Sequence, residues 1–370
     1  MKILLNGREL ELRAIWIEEN YKVKMIDQRL IPWKFQIYES RNYRETAYAI
    51  REMVIRGAPS IGVAGAFGVV QAANESVNEK DFLKSLNEKA KEIERTRPTA
   101  VNLKNVISHL LETANKSILE DGYNPRETVE ILFEEANKIA DREVEANKRI
   151  GEIGKKLIKD GYRILTHCNT GALAAVDIGT ALAPIRFAHK EGKNIFVFVD
   201  ETRPRLQGAY LTAWELKNEG IPHTIIVDNA AGFFMWKGEI DMVIVGADRI
   251  ALNGDVANKI GTYKLALAAH DNGIPFYVAA PLTTFDNHLK TGKEIPIEER
   301  SEEEVLYVKG LNEEGEVVKV KISPEGSRAR NPAFDVTPSK YITGIITEVG
   351  LLTNSSDILN ALKNFKIGNI

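Results

Sequence analysis

Five short segments of this 370-residue sequence each follow an apolar run and carry residues able to do chemistry. They are His167-Cys168-Asn169-Thr170-Gly171, Asp200-Glu201-Thr202-Arg203-Pro204, Asp228-Asn229-Ala230-Ala231-Gly232, Gly246-Ala247-Asp248-Arg249 and Ala280-Pro281-Leu282-Thr283-Thr284. Cys168 is the only thiol. It reads as a nucleophile, a base or a transition-state contact, since nearby cations and helix N-termini lower a thiol pKa. A small buried hydrophobe is the equal alternative. His167 is adjacent, but neighbouring side chains on a strand point to opposite faces, which argues against a Cys–His pair. Asp248 is either an acid–base carboxyl whose pKa burial raises, or the N-cap of a following helix. Asp228 has the same ambiguity, and Asp200 has the weakest claim of the three.

Basic residues beside turns supply a complementary half. Residues 253–262, Asn-Gly-Asp-Val-Ala-Asn-Lys-Ile-Gly-Thr, read as a loop entering a helix. Free amides there, with Asn258 and Lys259 alongside, make an anion site; a plain capped helix is the alternative. Arg56-Gly57-Ala58-Pro59 and Arg97-Pro98-Thr99 each put a guanidinium fork, suited to phosphate oxygens, beside a turn. Gly62, Gly65 and Gly68 lie inside a helical stretch, so close helix packing explains them better than a dinucleotide loop. With no Walker A sequence and no His/Glu metal-ligand helix, neither a metal nor a nucleotide is expected.

Such segments meet only if the runs before them end along one edge of a sheet. The runs at 163–166, 195–199, 224–227, 242–245 and 276–279 are mostly apolar, as strands buried on both faces must be. Intervening stretches with helical character, such as 206–218 and 259–272, are long enough for crossovers. The sequence therefore predicts an open, doubly wound α/β domain, whose ligands bind beyond the carboxyl ends of its strands. A hairpin at 307–322 precedes a last strand near 341–346. Upstream, short strands at 2–5, 9–11 and 23–26, with a turn at Asn6-Gly7, give way to helices over 46–56, 61–73, 101–116 and 127–159. The expected division is a mainly helical N-terminal domain with a small antiparallel sheet over 1–145, and an α/β domain over 146–370, with the long helix as connector.

Composition narrows the function. With 49 basic and 52 acidic residues the net charge is −3, so no global field attracts a nucleic acid or an anionic membrane. A single cysteine excludes an intramolecular disulfide and a Cys-rich zinc site, and suits a reducing cytoplasm. No signal peptide and no uncharged apolar stretch of about 18 residues is present, so a soluble protein is expected.

Taken in order, the motifs around Arg56, Arg97, Cys168, Gln207, Asp248 and Lys259, together with Asn331-Pro332-Ala333-Phe334-Asp335-Val336-Thr337-Pro338, resemble the methylthioribose-1-phosphate isomerase family nearly end to end. That family is related to the regulatory subunits of the translation initiation-factor exchange complex and to ribose-1,5-bisphosphate isomerases. The resemblance implies a helical N-terminal domain, a Rossmann-like C-terminal domain and a homodimer. It also implies a methionine-salvage reaction on a small sugar phosphate, without a cofactor. By motif, Asp248 would be the proton donor and Cys168 the transition-state stabiliser. Arg56, Gly57, Ala58, Arg97, Gln207, Asn258 and Lys259 would hold the substrate.

Two alternatives remain at this level: an isomerase of ribose 1,5-bisphosphate or a 5-deoxypentose phosphate, and a non-catalytic translation-factor regulator. Ile15-Trp16-Ile17 and Trp33 are the expected apolar contact for a methylthio group, and retention of both Cys168 and Asp248 favours an enzyme. Tyr210 stands where a basic residue is expected from the pattern, which would alter a surface contact.

Overall fold

A computed structural model describes residues 1–5, 7–97 and 100–365. Asn6 of the expected first turn, and Pro98 and Thr99 of the expected arginine motif, lie outside the described residues. The chain opens with an antiparallel pair, β1 (Lys2–Leu5) and β2 (Arg8–Glu11). A three-stranded antiparallel sheet follows, of β3 (Ile15–Ile17), β4 (Val23–Ile26) and β5 (Ile37–Ser40). Five helices come next: α1 (Tyr43–Arg51), α2 (Ala58–Asn74), α3 (Phe82–Glu94), α4 (Val101–Leu119) and α5 (Pro125–Gly154). Local chemistry sets their starts. Asn42 caps α1, and α5 begins with a full capping box between Asn124 and Glu127, with Pro125 in its first turn.

Helix α2 is the hub of this half and is buried on nearly all sides. Its glycines are packing residues, as expected. A Cβ on Gly65 would lie 2.4 Å from Leu103 Cδ1, and one on Gly62 would lie 3.4 Å from Asn102 Cβ, both on α4. Close approach of α2 and α4 fixes the turn before α2, which carries Arg56 and Gly57.

The second half contains β6 (Arg163–Thr166), α6 (Leu182–Lys190), β7 (Phe196–Asp200), α7 (Ala213–Asn218), β8 (His223–Ile226), α8 (Ala231–Trp236) and β9 (Met242–Val245). It continues with β10 (Arg249–Ile250), β11 (Val256–Lys259), α9 (Thr262–Asp271), β12 (Phe276–Ala279), α10 (Glu303–Leu306), β13 (Tyr307–Leu311) and β14 (Val317–Lys321). It ends with β15 (Phe334–Thr337), β16 (Gly344–Thr347), β17 (Gly350–Leu352) and α11 (Ser355–Asn364). The main sheet runs β17-β16-β12-β9-β6-β7-β8, parallel except at the β17 edge. Counting its six parallel strands along the chain gives the spatial order 6-5-4-1-2-3, that of a doubly wound dinucleotide-type fold. The expected α/β architecture, a helical first part with small sheets and a Rossmann-like second part, is therefore the one observed.

Alternation along each strand splits the apolar residues between two layers. Ile164, Val197 and Ile244 pack with α6 and the end of α5, whereas Leu165, Phe198 and Val245 pack with α8 and α9. Helix α5 belongs to both halves. Leu132, Ala136 and Ile139 sit in the N-terminal core, while Ile150 sits under the parallel sheet. Among the described residues, no helix is long and apolar enough to cross a membrane.

Several expectations change: the helix expected over 46–56 ends at Arg51, and that over 127–159 ends at Gly154. The helix expected over 206–218 begins as a π-turn, Gly208–Thr212, before α7. The helix expected from 259 begins at Thr262, because residues 256–259 form β11, paired with β10 and with β15 some 75 residues later. Helix α3 was not expected at all.

Candidate active site

In the doubly wound order, the crevice lies where the winding reverses, between the first and fourth parallel strands. Here those strands are β6 and β9. Cys168 follows β6 by two residues and Asp248 follows β9 by three, so the topology brings both to the same crevice. One cavity, with about 1130 Å³ of space including its mouth, is lined by both. It is also lined by Arg56, Gly57, Ala58, Arg97, Gln207, Asn258 and Lys259, so all nine expected site residues share it. Its walls come from both halves of the chain.

Each side chain is held by identifiable contacts. Cys168 has a φ of +65°, so the chain turns sharply out of β6 rather than continuing as a strand. Its N–H donates to Thr202 Oγ1 at 2.8 Å, and its carbonyl accepts from Thr212 Oγ1, in the π-turn, at 2.7 Å. Asp248 donates its N–H to the Ala257 carbonyl at 2.9 Å. The strand β10 follows it, not a helix, which excludes the N-cap alternative. Arg56 Nη1 donates to the Asn169 carbonyl at 3.0 Å, and Nη2 donates to Asn169 Oδ1. Gly57 has a φ of +96°, and a Cβ there would lie 2.4 Å from the Ala174 carbonyl oxygen, so the Arg56 turn admits only glycine. Asn258 Nδ2 donates to Thr262 Oγ1 at 3.0 Å. Lys259 Nζ donates to the Ala333 carbonyl at 2.9 Å and lies 4.3 Å from the centre of the Phe334 ring.

Electrostatics give the cavity its character. Asp248 is its only acidic lining residue among those described, against Arg56, Arg97, Arg205, Arg249, Lys259 and Arg300. Burial pushes the Asp248 carboxyl up, opposed by Lys259, Arg97 and Arg56. Burial likewise pushes the Cys168 thiol up, opposed by Arg56 and Lys259. Arg56 and Lys259 are themselves lowered by burial, which makes an entering anion favourable. Arg205 pairs with Glu304, Arg300 with Glu298 and Glu304, Arg97 with Glu298 and Arg249 with Asp286. Arg56 and Lys259 bond to amide and carbonyl groups, with no carboxylate bonded to either among the described residues. Two cations are thus uncommitted.

Several expectations are redistributed. His167 points away from Cys168: its Nδ1 lies 2.9 Å from Asp200 Oδ2, both side chains buried, and its Nε2 lies 2.9 Å from the Ile260 carbonyl oxygen. Asp228 accepts from the Thr202 and Arg203 amides at 2.7 Å each, so it anchors the loop after β7. The expected anion site at the start of α9 is already filled by Asp335, which accepts from the Gly261 and Tyr263 amides at 2.7 and 3.0 Å. Ile15 and Ile17 lie in the N-terminal core, and Trp33 lines a neighbouring cavity against Tyr210, with ring centres 4.8 Å apart. The apolar wall of the site is made instead by Ile61, Ile295, Ile297 and Phe334. Tyr210 donates its hydroxyl to the Lys309 carbonyl, joining the π-turn to the β13–β14 hairpin. Asn169, Thr170, Arg205 and Thr284 also line the cavity; they stand inside or beside the segments picked from the sequence, but nothing in their spacing singled them out.

A model of the initiation factor 2 subunit family matches residues 54–354. The chain belongs to that family. The match contains all nine expected site residues. Among relatives, the methylthioribose-1-phosphate isomerase of Acetivibrio thermocellus is 52% identical over 340 residues, covering 90% of this chain and 94% of that protein. A crystal structure of 5-methylthioribose 1-phosphate isomerase from Pyrococcus horikoshii OT3 is 42% identical, with a TM-score of 0.84 over 95% of this chain and 96% of that one. A crystal structure of translation initiation factor eIF-2B, subunit delta, from A. fulgidus is also 42% identical, with a TM-score of 0.80 over 95% of this chain and all of that one. The family thus joins chains described as enzymes and chains described as translation factors on one fold.

Proposed function

We propose that this chain is an aldose–ketose isomerase that converts 5-methylthioribose 1-phosphate to 5-methylthioribulose 1-phosphate. The observation that carries the reading is the meeting of a half-buried carboxyl, a buried thiol and two uncommitted cations in one cavity at the switch point. The names of relatives that are about half identical over nine tenths of the chain supply the substrate.

The substrate carries its phosphate on the anomeric oxygen, so its ring cannot open by loss of a hydroxyl proton. An acid must protonate the ring oxygen as its bond to C1 breaks, and a carboxyl whose pKa burial raises is suited to that. Asp248 is that group. The electron-poor C1 then takes hydrogen with its electron pair from C2, and the 2-hydroxyl proton passes to the Asp248 carboxylate as the ketone forms. A thiol raised by burial is a poor base at neutral pH, so Cys168 lines the path of the hydrogen without removing it. Arg56 and Lys259 bind the phosphate, joined by Arg97, Asn258, Gln207 and the Gly57-Ala58 turn. That supplies binding energy remote from the bond change. Two uncommitted cations suit one phosphate better than two, and the apolar wall suits a methylthio group.

The test is a coupled assay with 5-methylthioribose 1-phosphate and ribose 1,5-bisphosphate. Conversion of the first substrate, lost in the Cys168→Ala Asp248→Asn double variant, is expected. Turnover of neither substrate would refute the enzyme reading and leave the regulatory one. We further propose a cytoplasmic homodimer. Ile225, Val227, Phe233 and Trp236 are 47%, 57%, 51% and 74% exposed around the β8 edge and α8, a large apolar surface for a chain that acts alone. Sedimentation of Trp236→Glu as a monomer, beside a dimeric wild type, is the expected outcome.

A further inference from the structure

Thirteen buried side-chain polar atoms among the described residues have no hydrogen-bond partner, and five of them belong to residues lining the site cavity: Arg56 Nε, Arg97 Nε, Gln207 Oε1, Thr170 Oγ1 and Thr284 Oγ1. Buried polar groups are nearly always paired, so a cluster of orphans in one cavity marks where a ligand supplies the partners. Three of the five belong to residues already placed on the substrate. The two threonines do not.

Their positions are informative. Thr170 follows β6 and Thr284 follows β12, and these strands flank β9, whose end carries Asp248. The two residues therefore stand on either side of the acid's strand. Both backbones are fixed: the Thr170 carbonyl accepts from the Thr180 amide at 2.9 Å, and the Thr284 amide donates to the Pro281 carbonyl at 3.0 Å. Thr170 and Thr284 are 8% and 1% exposed, so each is enclosed in the wall of the cavity and not open to bulk solvent. A threonine hydroxyl both donates and accepts, as a sugar hydroxyl does, whereas a phosphate oxygen can only accept.

We propose that Thr170 and Thr284 contact the hydroxyl groups of the pentose from the two sides of Asp248, and so orient its ring oxygen toward that acid. The assignment deepens the isomerase reading and rests on it. Valine keeps the shape of threonine and removes the hydroxyl. In the substrate-bound enzyme its loss leaves a sugar hydroxyl unpaired, and about a tenfold fall in kcat/KM is expected for Thr170→Val and for Thr284→Val. In the free enzyme the same change removes an unpartnered buried group, so Tm should stay at or above that of wild type. Serine, which retains the hydroxyl, should restore most of the activity. A hydroxyl that merely supports the fold gives the opposite sign for Tm.

The experiment measures kcat/KM with 5-methylthioribose 1-phosphate and Tm for wild type and the four valine and serine variants. Turnover by wild type tests the isomerase reading on its own. Given that turnover, a fall of less than about threefold in either valine variant overturns the assignment. So does a fall that comes with a lower Tm, or one that serine fails to restore.

Discussion

Glu143 offers a test of the electrostatics that can be sized from the structure. It lies on α5 in the seam between the halves, only 7% exposed, and accepts from Thr283 Oγ1 at 3.1 Å. Burial, with the charge of Glu348 nearby, pushes its carboxyl from 4.5 up to about 7. The folded state therefore keeps this proton over an interval in which the unfolded chain has lost it. Stability from this group is fully present below pH 4.5 and is lost as pH rises toward about 7. At about 1.36 kcal/mol per pH unit, the loss over that interval comes to about 3 kcal/mol. Glu143→Gln keeps the acceptor for Thr283 and removes the titration. Urea unfolding followed by tryptophan fluorescence, at a series of pH values from 4 to 8.5, should show wild type losing stability relative to the variant by about that amount. A difference between the two proteins that stays flat with pH would refute the reasoning.

In the proposed reaction Asp248 acts as an acid, so turnover should be full below its raised pKa and fall as pH rises through it. Asp248→Asn should erase that alkaline limb and lower kcat by about 10²- to 10⁴-fold. Substrate carrying deuterium at C2 should give product that retains the label at C1; washout into solvent would instead assign Cys168 as a base. Gly57→Ala forces a side chain into a left-handed conformation 2.4 Å from a carbonyl oxygen. It should cost at least about 2 kcal/mol of stability, read as a lower Tm, and raise KM by moving Arg56.

The parallel strands were legible because burial on both faces leaves an uninterrupted apolar run. The spans at 163–166, 242–245 and 276–279 need no adjustment. The small sheet of β10, β11 and β15 was not legible. Val256-Ala257-Asn258-Lys259 has no strong period, and its partner Phe334–Thr337 lies far along the chain. Reading Lys259 as the start of a helix followed from that, and so did the misplaced anion site, since Asp335 reaches the α9 amides only once β15 is paired. The nine candidate residues were legible as motifs, yet their meeting in one cavity depends on strand order, which no local pattern encodes. Trp33 failed for a related reason. Its apolar character shows that it is covered, not by which cavity.

Because α5 serves two cores at once, neither half can come apart while the other stays intact. A crevice walled by both halves then survives or perishes with the whole chain. Heat inactivation and global melting of this protein should therefore trace a single curve.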